Sequence, residues 1–460
     1  MKNPSIAKWT YPLIAAAVVA ALPDAVLASN FSLSDIQSTT NMSTAGSGGA
    51  AYAQDASTIW FNPAGLTNLN DPELTAGFNL VRLGANFSPT TAVDATGAPL
   101  SGNNGGNPGK LGATPFIYYS TPLTDKLDFG IGLGVPFGLA TSYNAQSIFR
   151  YQAIYTSVTV LNLNPTLAYK FNDNWSAGFG VDIQRMDVKL TNDIDYGAVC
   201  FAEVNPVNCT ALGLVPQGHD GFFQGEASDT HTGFNFGVLW QDDSTRVGFS
   251  YRSRVKHDLT GTATFTNAPA LFTSQGLFQN QGINAQFTTP QIAELSWYRQ
   301  LNSQWSLMAD WTYTGWSSFQ NLTINFSDPN QPPATVQEGL SNVSRFAVGT
   351  NYKFSDRWTF HGGVAYDKTP LPNPTAASSI TPNNIDASRT ARLPDANRFI
   401  LAFGTSWRVS DHSQWDIGYE HLFLNGHVPF SQLDGSSGDY IAGQYNVDAD
   451  ILGIQYTYRF

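Results

Sequence analysis

Charge is scarce in this 460-residue chain: Asp, Glu, Lys and Arg make up 13% of it, and acidic residues outnumber basic ones 35 to 23. A net charge of −12 is opposite in sign to the footprint that binds nucleic acid, so nucleic acid is excluded as a partner. Long apolar runs are equally scarce. Beyond the first 28 residues no uninterrupted stretch approaches the ~18 apolar residues of a spanning helix. Cysteine is limited to Cys200 and Cys209, in a neighbourhood too poor in other ligands for a metal site. In an exported chain two cysteines this close form a local disulfide, closing a loop of ~10 residues and contributing ~2 to 3 kcal/mol. The seven histidines belong to no readable nucleophile motif, so neither an enzymatic residue nor a cofactor is expected.

What is present points to export and to a sheet. Lys2 and Lys8, an apolar run from Leu13 to Leu22 and the small-residue end Val26-Leu27-Ala28 read as a signal peptide over residues 1–28. Downstream, apolar and polar residues alternate in segment after segment. In the last, Leu452, Ile454, Tyr456, Tyr458 and Phe460 share one face, opposite Gly453, Gln455, Thr457 and Arg459. An exported β protein spans a membrane as a closed barrel, because closure pairs every backbone amide without water.

Six tight polar turns are expected at 124–126, 172–174, 242–244, 302–304, 355–357 and 410–412. Longer connections lie near 88–110, 141–154, 191–229, 267–284, 327–335, 370–390 and 428–445. Together they join fourteen strands, an even number that places both termini in the periplasm of a bacterial outer membrane. Trp175, Trp305, Trp358 and Trp415 each follow a short turn at nearly the same offset, as an interfacial girdle requires. The fold class is therefore an all-β, 14-stranded antiparallel transmembrane barrel over residues 71–460. Residues 29–70 are too small and polar for a lipid-facing strand and are assigned to a lumenal hatch.

The third strand is unusual. Gly130, Gly132, Gly134, Pro136 and Gly138 share the lumenal face, opposite Phe129, Ile131, Leu133, Val135 and Phe137. Proline removes a ladder donor, so the strand should bend or lose pairing there. On the seventh strand, Val247, Phe249, Tyr251 and Val255 set the outward phase and place Arg252, Arg254 and Lys256 in the lumen. Arg345, Arg398, Glu294 and Asp310 are inward by the same reasoning, either as an ion-pair lattice or with one cation left for an anionic ligand; strand phase does not say which, and Arg252 is the choice. Leu271 and Phe272, with the stretch 211–215, are apolar residues on long loops and mark a capture surface. Asn62-Pro63-Ala64 reads as the turn that ends the hatch.

Several of these segments resemble one family. Asp55-Ala56-Ser57 followed by Trp60-Phe61-Asn62-Pro63-Ala64-Gly65-Leu66, Gly134 to Leu139, Tyr251 to His257, and Leu393-Pro394-Asp395-Ala396-Asn397-Arg398-Phe399 look like the FadL-type outer-membrane transporters of long-chain fatty acids and other hydrophobic compounds. The likeness covers essentially the whole mature chain. It implies passive uptake, with a fatty acid or an aromatic hydrocarbon as ligand. It implies capture by two loops, a lumenal pocket bordered by the N-terminus at Phe31, and sideways exit at the kinked third strand around Gly132, Gly134, Pro136, Phe137 and Gly138. The turn Asn62-Pro63-Ala64 is then expected to reach that strand, with Asn62 bonded near Gly132 to Pro136. Outer-membrane lipid and lipopolysaccharide would surround a monomer. A lipid hydrolase on a barrel scaffold and an open porin are the alternatives outside the family.

Overall fold

The computed structural model describes residues 32–372, 389–434 and 437–460; the expected signal peptide and Phe31 lie outside them. The alternating segments form one antiparallel sheet. Six staves come first: β1 (Glu73–Val93), β2 (Leu111–Thr124), β3 (Leu127–Ser142), β4 (Tyr155–Lys170), β5 (Trp175–Asp195) and β6 (Asp220–Gln241). The next four are each split in two: β7 (Thr245–Arg252, Val255–Thr266), β8 (Gln281–Thr289, Ile292–Gln300), β9 (Trp305–Thr314, Asn321–Phe326) and β10 (Ala334–Gln337, Val343–Lys353). The last four are β11 (Trp358–Asp367), β12 (Arg398–Arg408), β13 (Ser413–Leu433) and β14 (Tyr440–Arg459). β1 pairs with β14 from Glu73↔Arg459 to Val93↔Tyr440, which closes a fourteen-stranded barrel.

All six short turns fall where the sequence places them, and side chains explain why. Asn172 Oδ1 accepts from the amides of Asn174 and Trp175, and Asn302 Oδ1 from those of Gln304 and Trp305. The turn therefore sets the position of the tryptophan that follows. Trp175, Trp305, Trp358 and Trp415 are 37 to 48% exposed on the outer surface, as a girdle at the short-turn end. Phe399, Leu401 and Phe403 continue the apolar outer face along β12. Among the described residues no helix is long and apolar enough to cross a membrane. The 191–229 connection is shorter than expected, because β5 and β6 stay paired up to Asp195↔Asp220.

The four split staves break on one line. Arg252 pairs with Ile292 and Val255 with Thr289, which sets Ser253-Arg254 opposite Pro290-Gln291. Thr314 pairs with both Ile292 and Val343, where the breaks of β9 and β10 begin. The 10 residues from Trp305 to Thr314 match the ~25 Å height of an apolar band, so the break line is its upper edge.

Breaks shift phase, and two expectations fail for that reason. Arg252 and Ser253 are both buried, and beyond them Val255, His257 and Leu259 face inward. Arg254 and Lys256 are thus exposed on the outside, with Lys256 paired to Asp258 at 3.6 Å, and neither is a lumenal cation. β3 behaves likewise: Gly134 pairs with Asn162 but Phe137 pairs with Val160, a bulge with one extra residue on β3. Past it Phe137 and Leu139 point into the lumen beside Val158 and Val160, so the upper lumenal face of β3 is not bare.

Candidate functional site

Residues 32–70 fold as short helical turns whose side chains are mostly buried against the inner wall. The wall receives them through glycine: a Cβ at Gly248 would collide with the Ala50 carbonyl, and one at Gly363 with that of Thr44. Arg252 fastens the segment. It pairs with the fully buried Asp182, which also accepts from Asn162 and Asn235 at 3.0 Å each. Arg252 Nη2 donates to the Trp60 carbonyl at 2.9 Å, and the guanidinium lies 3.6 Å over the Trp60 ring.

A second attachment lies at the kink. Among the described residues no ladder pair joins β2 to β3 between Ile117↔Leu133 and the isolated bridge Gly109↔Thr141. The two strands are thus unpaired along 111–116 of β2 and 134–140 of β3, the rims of a break in the ladder. Both rims carry a proline without an amide hydrogen, Pro115 and Pro136. From inside, Leu33 N donates to the Pro136 carbonyl and Gln37 Nε2 to that of Val135, both at 2.8 Å, while Ser32 bridges to Phe137. Tyr118 OH donates to the Gln37 carbonyl at 2.9 Å. Gly132 and Gly134 leave room for this packing, with Tyr118 and Gln37 where their Cβ atoms would be. Gly138 lies beyond the bulge, opposite Thr159.

The expected role of Asn62 at this kink is corrected. Asn62 Nδ2 donates to the Ala50 and Val238 carbonyls at 2.7 and 3.1 Å, and its Oδ1 accepts from Ala64 N at 3.0 Å. Pro63 and Ala64 sit against Gly178 of β5, and Ser176 donates to the Ala64 carbonyl at 3.0 Å. The turn thus seats on β5 and β6, and the kink's carbonyls are served by residues 33 and 37.

Two chambers occupy the lumen above the segment. The lower one is polar, bordered by Asp35, Arg252, Glu294, Arg345 and Asp367. Its cations are committed: Arg345 to Asp35 at 3.4 Å, and Arg252 to Asp182. Arg398 likewise pairs with Asp367 and with Asp395 at 3.2 Å. Toward the long loops lies an apolar chamber walled by Leu139, Val158, Leu190, Leu259, Phe287, Phe319, Leu340 and Leu393. Two ionisable groups enter it, Glu338 and Arg392. Arg392 Nη1 donates to Thr156 Oγ1 at 2.9 Å and Nη2 to Asn192 Oδ1 at 3.1 Å. Among the described residues no carboxylate lies within ion-pair distance of it. Burial lowers its pKa to about 10, against the opposing charge of Glu338. The sequence does not single out Arg392, because a loop has no alternation to fix direction; an arginine directly before Leu393-Pro394 is the available signal.

At the long-loop end, Cys200 and Cys209 are bonded. Their helical loop packs on the 267–280 connection through Tyr196, Val199, Leu214 and Phe272. Phe272 is 2% exposed and braces the two loops, with Leu271 half-buried at the edge. The exposed apolar surface belongs to Val204, Val207, Leu212 and Val215, the last two within the expected stretch 211–215.

The long-chain fatty acid transport protein of Escherichia coli O6:H1 is 26% identical over 465 residues, covering 97% of each chain. Among solved structures, a FadL homologue of Pseudomonas aeruginosa matches with a TM-score of 0.81 at 24% identity, covering 92% of this chain and 98% of its own. The toluene transporter TodX of P. putida matches with a TM-score of 0.65 at 16% identity, over 92% of this chain and 98% of its own. The sequence profile of the outer membrane protein transport proteins (OMPP1/FadL/TodX) matches residues 18–460. The chain belongs to that family: it is an outer-membrane transporter of hydrophobic compounds.

Proposed function

We propose that the protein takes up long-chain fatty acids passively. The long loops face the exterior and both termini the periplasm, with the barrel as a monomer in outer-membrane lipid and lipopolysaccharide. Val204, Val207 and Leu212 offer the first apolar contact. The acyl chain then fills the upper chamber with its carboxylate on Arg392, and leaves sideways through the window between β2 and β3 once residues 32–37 move off the kink. In this reading residues 29–70 are the hatch. Sideways exit spares the acyl chain a second exposure to water.

One observation carries the choice of ligand: an arginine with no acidic partner within ion-pair distance among the described residues, set in an apolar chamber. An aromatic hydrocarbon would gain nothing from that cation, while a carboxylate gains a charge-assisted bond. Hydrocarbon uptake is the second reading, supported by the apolar lining itself. Arg392→Gln distinguishes them. Loss of a hydrogen bond to a charged group should weaken long-chain fatty-acid binding by about ten- to a hundredfold and leave toluene uptake unchanged. Equal fatty-acid affinity in the variant would sink the assignment.

The chamber should also respond to pH. Burial raises the pKa of Glu338 to about 8, with Arg392 opposing the rise. Below that value Glu338 keeps its proton, and among the described residues lining the chamber Arg392 is the charge that faces the ligand. As pH rises through it, Glu338 ionises, offsets Arg392 and repels a carboxylate. Fatty-acid affinity measured by calorimetry should fall between about pH 7 and about pH 9 and stay level in Glu338→Gln.

A further inference from the structure

The two chambers share one residue, Trp316, which borders both. It lies in the break of β9, on a single helical turn at Trp316–Ser318 that replaces strand and turns the indole inward, leaving it 2% exposed. The backbone of that turn is tied to its neighbours: Gly315 N donates to the Gln291 carbonyl and Ser317 N to Asn342 Oδ1, both at 2.9 Å. Across the lumen the indole meets the Phe137 ring edge-on, with centroids 6.0 Å apart. Phe137 is 1% exposed and owes its inward direction to the β3 bulge.

We propose that Trp316 and Phe137 form an aromatic gate between the apolar chamber and the lower chamber, and that this gate sets the width of molecule able to pass. The inference rests on the uptake reading and adds the element that sorts by cross-section. A linear acyl chain passes when the two rings swing apart, while their backbones stay anchored. A fused-ring or branched body needs more clearance than rotation of two side chains provides. Because Phe137 follows Pro136 directly, displacing its ring also loads the strand whose carbonyls hold Leu33 and Gln37. Passage and release at the window are thereby linked through adjacent residues.

The gate is tested without relying on transport. Ser250 borders the lower chamber, and the native cysteines are bonded to each other, so Ser250→Cys supplies a single reactive thiol there. A linear N-alkylmaleimide is added to intact cells displaying the full chain, and labelling is timed by mass spectrometry of the extracted protein. Trp316→Ala should speed labelling about tenfold, the order that removal of an edge-to-face contact gives, and Trp316→Phe should stay near the parent rate. Phe137→Ala reaches the same result from the opposite side and serves if the tryptophan variant folds poorly. Equal labelling rates in the parent and both alanine variants would overturn the gate. Faster labelling in a protein that takes up no fatty acid would uphold the gate and remove the uptake reading instead.

Discussion

Deletion of Pro136 is expected to reduce long-chain fatty-acid uptake to background while the barrel still folds. The reason is geometric. Between Gly134↔Asn162 and Phe137↔Val160, β3 carries one residue more than β4, and removing Pro136 takes out that residue without changing which side chain faces Val160. The strand then runs straight, with amides available to β2 where the bulge and the proline now prevent pairing. Each restored ladder bond contributes about 0.5 to 1.5 kcal/mol toward sealing the window. Labelled oleate uptake in cells lacking their own transporter is the measurement. Heat-dependent gel mobility confirms that the barrel is closed. Wild-type uptake by a folded deletion variant would mean that the ligand leaves by another route.

The second large effect concerns stability. Arg252→Ala leaves Asp182 buried without its cation, a change that costs about 3 to 5 kcal/mol in comparable buried pairs. It also removes the guanidinium from the Trp60 ring and carbonyl, so the loss falls on the attachment between residues 32–70 and the wall. Lower thermal stability should accompany a raised ion leak in planar bilayers. The double change Arg252→Met with Asp182→Asn should recover part of the lost stability, since a neutral amide leaves no unpaired buried charge and still accepts from Asn162 or Asn235. Fatty-acid affinity in that double variant should equal the wild type. A large loss there would instead identify Arg252 as the carboxylate's partner, the role the sequence pattern first assigned it.

These two predictions also mark where the sequence was readable. Strand number and turn positions were legible because alternation and Asn- or Asp-led turns are local, and local rules hold as long as a strand is continuous. The inward placement of Arg252 followed from Val247, Phe249 and Tyr251 on the same unbroken segment. Two residues further on the rule stopped applying. The break at Ser253-Arg254 has no strong local mark, so Arg254 and Lys256 were carried inward by a phase that had already reversed. Pro136 announced a disturbance in β3, but not that the disturbance would be a bulge turning Phe137 into the lumen. Pro115, the matching proline on the other rim, gains meaning only once β2 and β3 are known to be neighbours.

Contacts between distant segments were the least legible. Asn62 found Ala50 and Val238, and Gln37 found Val135, through packing that no spacing encodes. Arg392 stands apart for the same reason, since its direction depends on where Thr156 and Asn192 lie.

The line of breaks across β7 to β10 gives the molecule a seam. Everything above it on those staves is a half-collar with its own internal pairing, joined to the embedded cylinder by a few residues per strand and by the pairing of β7 with the unbroken β6 from Phe222↔Thr266 to Ser228↔Thr260. A half-collar of this kind can be exchanged between relatives as a cassette. Its sequence can thus change without altering the register of the staves beneath it.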